Sequence, residues 1–92
     1  MTLKLGSTFY RISPHKDYFT KEKIYMYNKE AFISENTFCD CYVEEGREQL
    51  YFEDEHKTWC RTFKEAKELC NAKKVRKHDD EYWEVEEWKH QH

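Results

Sequence analysis

The 92-residue sequence predicts a single α+β domain, spanning 1–92. It should be β-rich first, then helical, then close on a strand: an antiparallel sheet of about four to six strands with one helix, in the C-terminal half, packed on one face. Three observations predict this. The chain is short, and a chain of this length buries only about 60–65% of the surface its unfolded form exposes, so its core is thin. Its core material is aromatic, with 7 Tyr, 6 Phe and 3 Trp against few Val, Ile and Leu. Rings bury more area per residue than aliphatic side chains, which suits a small core. One segment carries a helix start signal, and the segments around it alternate as strands do. The 38% of charged residues would suit a disordered chain, but disordered chains are poor in aromatics.

Taken in order, Thr8–Ser13 reads as a strand, ended by Pro14, which cannot donate to a ladder. Ile24–Tyr27 suits a strand because aromatic and β-branched residues favour a pleated surface. Thr20–Ile33 as one amphipathic helix, with Ile24, Tyr27 and Ala31 on a stripe, stays open as the alternative. A three-stranded meander follows: Phe38–Glu44, a turn at Glu45-Gly46-Arg47, Glu48–Glu53, a turn over Asp54–Lys57, and Thr58–Thr62. Pairing about those turns puts Phe38, Tyr42, Leu50, Phe52 and Trp59 on one face, with Asp40 and Arg61 among them. Cys39, Cys41, Val43, Tyr51, Glu53, Thr58 and Cys60 take the other. The first face is the more apolar and is the one expected to receive the helix. Thr62-Phe63-Lys64-Glu65 fits a capping box, and Phe63, Ala66, Leu69 and Cys70, continued by Ala72 and Val75, fall on one side. The helix is placed at Phe63–Val75, with Lys73, Lys74, Arg76 and Lys77 near an end where cations suit the helix dipole. Glu81–Trp88 is the last strand, Trp83 and Val85 facing one way and Tyr82, Glu84, Glu86 and Trp88 the other.

Composition excludes several functions. A net charge of −3 argues against general nucleic-acid binding, which needs a cationic face. No apolar run is long enough to span a bilayer, so no membrane role is expected. Lys4 and the polar run from Gly6 interrupt any N-terminal apolar stretch, so the expected location is cytoplasmic and the four cysteines are expected to be reduced. Two glycines, Gly6 and Gly46, cannot build a phosphate loop or a dinucleotide fingerprint. No cofactor is expected.

Cys39, Asp40, Cys41, His56, Cys60, Cys70 and His78 offer enough ligands for a zinc site, but without a Cys-x-x-Cys knuckle. In the register above, Cys41 and Cys60 lie two strands apart, about 9.5 Å, too far for a shared metal. Buried structural thiols are the reading preferred to a zinc module. His90 and His92 read as a frayed tail. Cys60 and His56, across a turn, are the one pair within reach for nucleophilic chemistry, but nothing supplies an oxyanion hole and the chain reads as non-enzymatic.

Two surfaces are left as binding candidates. Lys73, Lys74, Arg76 and Lys77 form a compact cluster that suits an anion such as a nucleotide phosphate, although a charged helix end accounts for them better. Asp79, Asp80, Glu81, Glu84, Glu86 and Glu87 follow at once. Tyr10, Tyr18, Phe19, Tyr25, Tyr27, Tyr42, Tyr51, Tyr82, Trp83 and Trp88 are more rings than so thin a core should hide, and exposed Tyr and Trp dominate binding hot spots. Tyr25, Tyr27, Tyr82, Trp83 and Trp88, with Glu84 and Glu86, are therefore the candidate protein contacts. A homodimer through an exposed strand edge fits the same features.

The stretch Thr58–Leu69, in which a strand runs into a capped helix, in so short, charged and aromatic-rich a chain, resembles the small accessory proteins encoded by bacteriophages. That resemblance implies a non-enzymatic inhibitor or adaptor that occludes a host protein stoichiometrically, including a defence component, or sequesters a host ligand. It transfers no functional residues.

Overall fold

A computed structural model describes residues 4–34, 49–79 and 81–89. The protein is α+β, and its described residues form mostly one antiparallel sheet of seven strands with one short helix. The strands are β1 (Thr8–Ile12), β2 (Tyr18–Tyr27), β3 (Ala31–Ser34), β4 (Leu50–Tyr51), β5 (Trp59–Cys60), β6 (Ala72–His78) and β7 (Tyr82–Trp88). The helix α1 covers Phe63–Leu69, and a 3₁₀ turn covers Phe52–Asp54. The strand count therefore exceeds the expected four to six. Among the described residues no helix is long and apolar enough to cross a membrane.

The ten-residue β2 organises the sheet. β1 lies along one side of it, in the register Thr8↔Lys23 to Ile12↔Phe19. β7 and β3 share the other side, β7 at Tyr18–Thr20 and β3 at Ile24–Tyr27. The region 20–33 is thus strand, turn and strand, and the helical alternative falls. Asn28 makes that turn: its Oδ1 accepts from the amides of Glu30 (2.8 Å) and Ala31 (2.9 Å).

The second and third strands of the expected meander do not pair with each other. Its first strand, Phe38–Glu44, and first turn lie outside the described residues. β4 pairs with β3, and β5 pairs with β1. The 3₁₀ turn separates β4 from β5 and sends each to a different neighbour. The side assignments survive this change for Leu50, Phe52, Trp59 and Cys60, while those of Phe38, Cys39, Asp40, Cys41, Tyr42 and Val43 lie outside the described residues. Leu50, Phe52 and Trp59 join one apolar cluster, and Cys60 joins another. The helix, however, covers the face with Cys60, not the face with Trp59.

Alternation along β1 and β2 explains why there are two clusters. Phe9 and Arg11 of β1 face the same side as Thr20, Glu22 and Ile24 of β2, whereas Tyr10 and Ile12 face the side of Phe19. Under the helix, Tyr10, Phe19, Phe63 and Trp83 interlock with centroids 5.3–6.2 Å apart, Phe19 stacked on Trp83 at 12°. On the opposite side Phe9, Phe32, Phe52 and Trp59 pack at 5.0–6.3 Å, mostly edge to face. Such geometry adds about 0.5–1.5 kcal/mol per pair to area burial. The Trp59 indole N–H also donates to the Tyr51 carbonyl at 2.8 Å.

The helix begins as the sequence predicts: the Thr62 hydroxyl accepts from the Glu65 amide at 3.2 Å. It stops at Leu69, six residues before Val75. Asn71 takes a left-handed conformation (φ 51°), and its amide reaches the Glu68 carbonyl, a common helix stop. Ala72–His78 is then β6, recruited by pairing with β7. The basic run therefore lies on a strand rather than at a helix end. β6 and β7 carry irregularities at Lys73 and Glu86, so that Lys74 lies opposite Glu87 and Val75 opposite Val85. The extra residue reverses the alternation, and Trp88 packs with Trp83 and Val85 instead of opposing them.

Trp59 is fully buried and touches three rings. Trp59→Ala is expected to destabilise the fold by about 3–5 kcal/mol, a large share of the roughly 5–15 kcal/mol available to a domain. Urea unfolding should show the midpoint falling with an unchanged slope. A loss below about 1 kcal/mol would contradict this packing.

Candidate functional site

The helix covers only one face of the sheet. On the other, between the β1–β2 turn and the turn before β5, lies a groove of about 660 Å³. Its floor is an ion pair. Glu22, 4% exposed, accepts from Arg11 Nη2 at 2.8 and 3.0 Å, from Arg11 Nε at 3.1 Å and from the Thr20 hydroxyl at 2.5 Å. A carboxylate so far from water is held there only by that set of donors.

Two turns form the rim. In the first, the Ser13 hydroxyl donates to Asp17 Oδ1 (2.8 Å) and accepts from the amides of Asp17 and Tyr18. That turn carries Lys16, in the left-handed region at φ 59°. In the second, the Asp54 carbonyl accepts from the amides of Lys57 and Thr58, and His56 sits at φ 73°. The Ile12 amide donates to the Thr58 carbonyl at 2.9 Å and ties the two turns together. The His56 ring hydrogen-bonds to Glu65 on α1, and this bond raises the imidazole pKa above its ordinary value. Glu65 is thus spent on His56, so the reciprocal half of the expected capping box is replaced by a tie between groove and helix. Tyr18, 37% exposed, stands at the lip, edge-on to Tyr82 at 5.1 Å.

The residues singled out from sequence are scattered. Trp83 is 9% exposed and belongs to the interior, which removes it as a surface contact. Trp88, Tyr82 and Tyr25 are half-buried, and Tyr27 is 43% exposed. β2 separates Tyr27 from Thr20, the partner of Tyr82, by seven residues, about 23 Å at the usual strand rise, so these candidates do not form one surface. The basic and acidic runs meet each other: Arg76 reaches Glu84 (2.9 Å) and Glu86 (3.5 Å), Lys74 reaches Glu86 (3.9 Å), and His78 reaches Glu84 (3.2 Å). The Glu84 carboxyl is held below the ordinary range by its hydrogen bonds to Arg76 and His78. Lys77 instead lies over the Trp83 ring at 5.7 Å, and Lys73 is exposed. The cationic cluster is therefore split and half neutralised within its own hairpin.

Cys60 and His56 are not a pair. The Cys60 thiol donates to the Thr62 carbonyl (3.4 Å), while His56 turns to Glu65. Cys60 and Cys70 are buried free thiols, pushed up to about 12 and about 11 by desolvation. Among the described residues no three His, Cys, Asp or Glu side chains are grouped to hold a metal. Cys39, Asp40, Cys41, Asp80, His90 and His92 lie outside the described residues.

Sequence reading missed Arg11, Lys16, Glu22 and Lys57. Glu22 is flanked by Lys21 and Lys23, so the triplet looks like a solvated charge run. The available signal is its place in the alternation Thr20, Glu22, Ile24, one polar position on the way to a core residue.

Two outcomes follow from this geometry. Arg11→Met strands the Glu22 carboxylate and should cost about 3–5 kcal/mol, while Arg11→Met with Glu22→Leu should recover most of it; chemical denaturation of both variants checks the pair. At neutral pH Cys60 and Cys70 should resist alkylation in the folded protein and react on unfolding, as read by peptide mass spectrometry. Native labelling of Cys60 at the rate of a free thiol would contradict its burial.

Compared with known proteins, the chain matches no family model, no curated protein and no solved structure.

Proposed function

We propose that this protein is a non-enzymatic binding protein that acts by stoichiometric occlusion of a host protein, in the manner of a phage-type inhibitor or adaptor working in the cytoplasm. One observation carries the reading: large apolar side chains gather, exposed, at the β2–β3–β4 end of the sheet. Met26 is 56% exposed, Tyr27 43% and Tyr51 44%. The register sets Met26 opposite Ile33 and Tyr51 opposite Ala31, so Met26, Ile33 and Tyr51 share one side of three adjacent strands. A shallow depression of about 220 Å³ lies beside Met26, Tyr27 and Ile33. Exposed apolar side chains grouped in this way mark interaction surfaces. Tyrosine gives a rigid contact area, and methionine adapts to an uneven partner.

Of the candidate contacts named from sequence, Tyr27 lies at this end of the sheet, but its register partner is Phe32, so it projects from the other face. Met26, Ile33 and Tyr51 replace Trp83 and Trp88, whose rings the core takes up. Pairing of two copies through β6 is the weaker form of association: Lys73, Lys74, Arg76 and Lys77 sit on that strand, and like charges on an edge discourage edge-to-edge pairing.

The test is an affinity capture from host lysate, followed by titration of the recovered partner against purified variants. Met26→Ser combined with Tyr51→Ser should weaken binding by about tenfold or more while changing stability by no more than about 0.5–1 kcal/mol, since exposed side chains contribute little to the fold. Unchanged affinity in that variant would end the proposal.

A further inference from the structure

The geometry points to the groove beside β1 as a binding site for a small phosphate-bearing ligand, with Lys16 and Lys57 as its charged contacts and Tyr18 as a stacking surface. The site goes beyond the protein-partner reading and uses none of the residues of the apolar patch.

The sign of its charge comes first. The chain as a whole carries −3, yet the groove is lined by Arg11, Lys16, Lys57 and His56 against a single carboxylate, Glu22. Arg11 closes on Glu22, which neutralises the floor. Lys16 and Lys57 have no ion pair among the described residues, whereas Lys74 and Arg76 on β6 face Glu84 and Glu86. Two ammonium groups without an ion pair among the described residues, above a floor where Arg11 is paired with Glu22, attract an anion. His56 is held by Glu65 and lies 3.8 Å from Glu55, so it is set aside from this count.

The backbone is the second observation. Among the described residues four non-glycines adopt positive φ, and two of them, Lys16 and His56, are on this rim. Left-handed residues of this kind persist where the surroundings over-determine them, and they concentrate at ligand clamps. Here the surroundings are the Ser13 hydroxyl, the Asp54 carbonyl and the Ile12–Thr58 hydrogen bond, which hold both turns before any ligand arrives. A site arranged in advance loses less entropy on binding.

Size and chemistry complete the match. A groove of about 660 Å³ falls in the range of about 300–1,000 Å³ usual for small-molecule sites. The Tyr18 ring at its lip is supported by Tyr82, and an aromatic face next to cations suits a base joined to phosphates.

Thermal shift and calorimetry with ATP and with inorganic tripolyphosphate test the site, because a ligand selective for the folded state raises its melting temperature. Both probes should raise it at concentrations on the order of 1 mM or below. Lys16→Glu with Lys57→Glu should weaken both by about tenfold or more, with the melting temperature of the free protein unchanged, since charge-assisted contacts are lost and no packing is. Tyr18→Ala should weaken ATP and leave tripolyphosphate unaffected. Lys73→Glu with Lys77→Glu should bind as the wild type does. No shift with either probe overturns the proposal, as does binding that survives Lys16→Glu with Lys57→Glu or that is lost in Lys73→Glu with Lys77→Glu. These results are independent of the Met26 and Tyr51 variants, so each reading fails on its own evidence.

Discussion

The β1–β2 ladder is asked to be apolar on both faces at once. Each strand alternates, and here both sets of alternating positions include rings: Phe9 on one side, Tyr10 and Phe19 on the other. A sheet with two apolar faces needs two covers. One is supplied by α1 and the β6–β7 hairpin, the other by the curl of β3 and β4 with the 3₁₀ turn. Eight rings are interlocked in the two small cores, more than a single core in a chain of this length would take.

The two covers are unequal, and the inequality leaves a groove and an exposed apolar patch. Under α1 the core closes completely around Phe19, Cys60 and Ala66. On the other face Phe32, Leu50 and Trp59 cover only the Phe9 and Ile24 end of β1 and β2. Toward the β1–β2 turn that face is polar, and what lies there is the Arg11–Glu22 pair and the groove above it. At the opposite end, β3 and β4 have no further layer outside them among the described residues, which leaves Met26 and Tyr51 in solvent. A cationic hollow and an apolar patch thus sit toward the two ends of β2.

Charge follows the same logic of neighbours. The Lys-rich and Glu-rich runs are adjacent in sequence because they are the two strands of a hairpin, and antiparallel pairing lays one against the other. What looks like two charged surfaces is largely one neutralised ladder of Arg76, His78, Glu84 and Glu86. Lys16 and Lys57 are far apart in the sequence and line one groove because two turns are hydrogen-bonded together.

The sequence by itself determined the features that depend on neighbours a few residues apart. The Thr62 cap, the strand ended by Pro14, the sidedness of Leu50, Phe52 and Trp59, and the α+β class all follow from local hydrogen bonding and period-two alternation. Tertiary structure decided what depends on partners far along the chain. It sent β4 to β3 and β5 to β1, turned residues after Asn71 from helix into strand, and moved Trp88 inward through an irregular register. It also joined Arg11 to Glu22 and brought the turns that carry Lys16 and Lys57 to one groove. The reason is that strand pairing and side-chain burial are set by contacts between distant segments, and no local period in a sequence encodes which segment arrives.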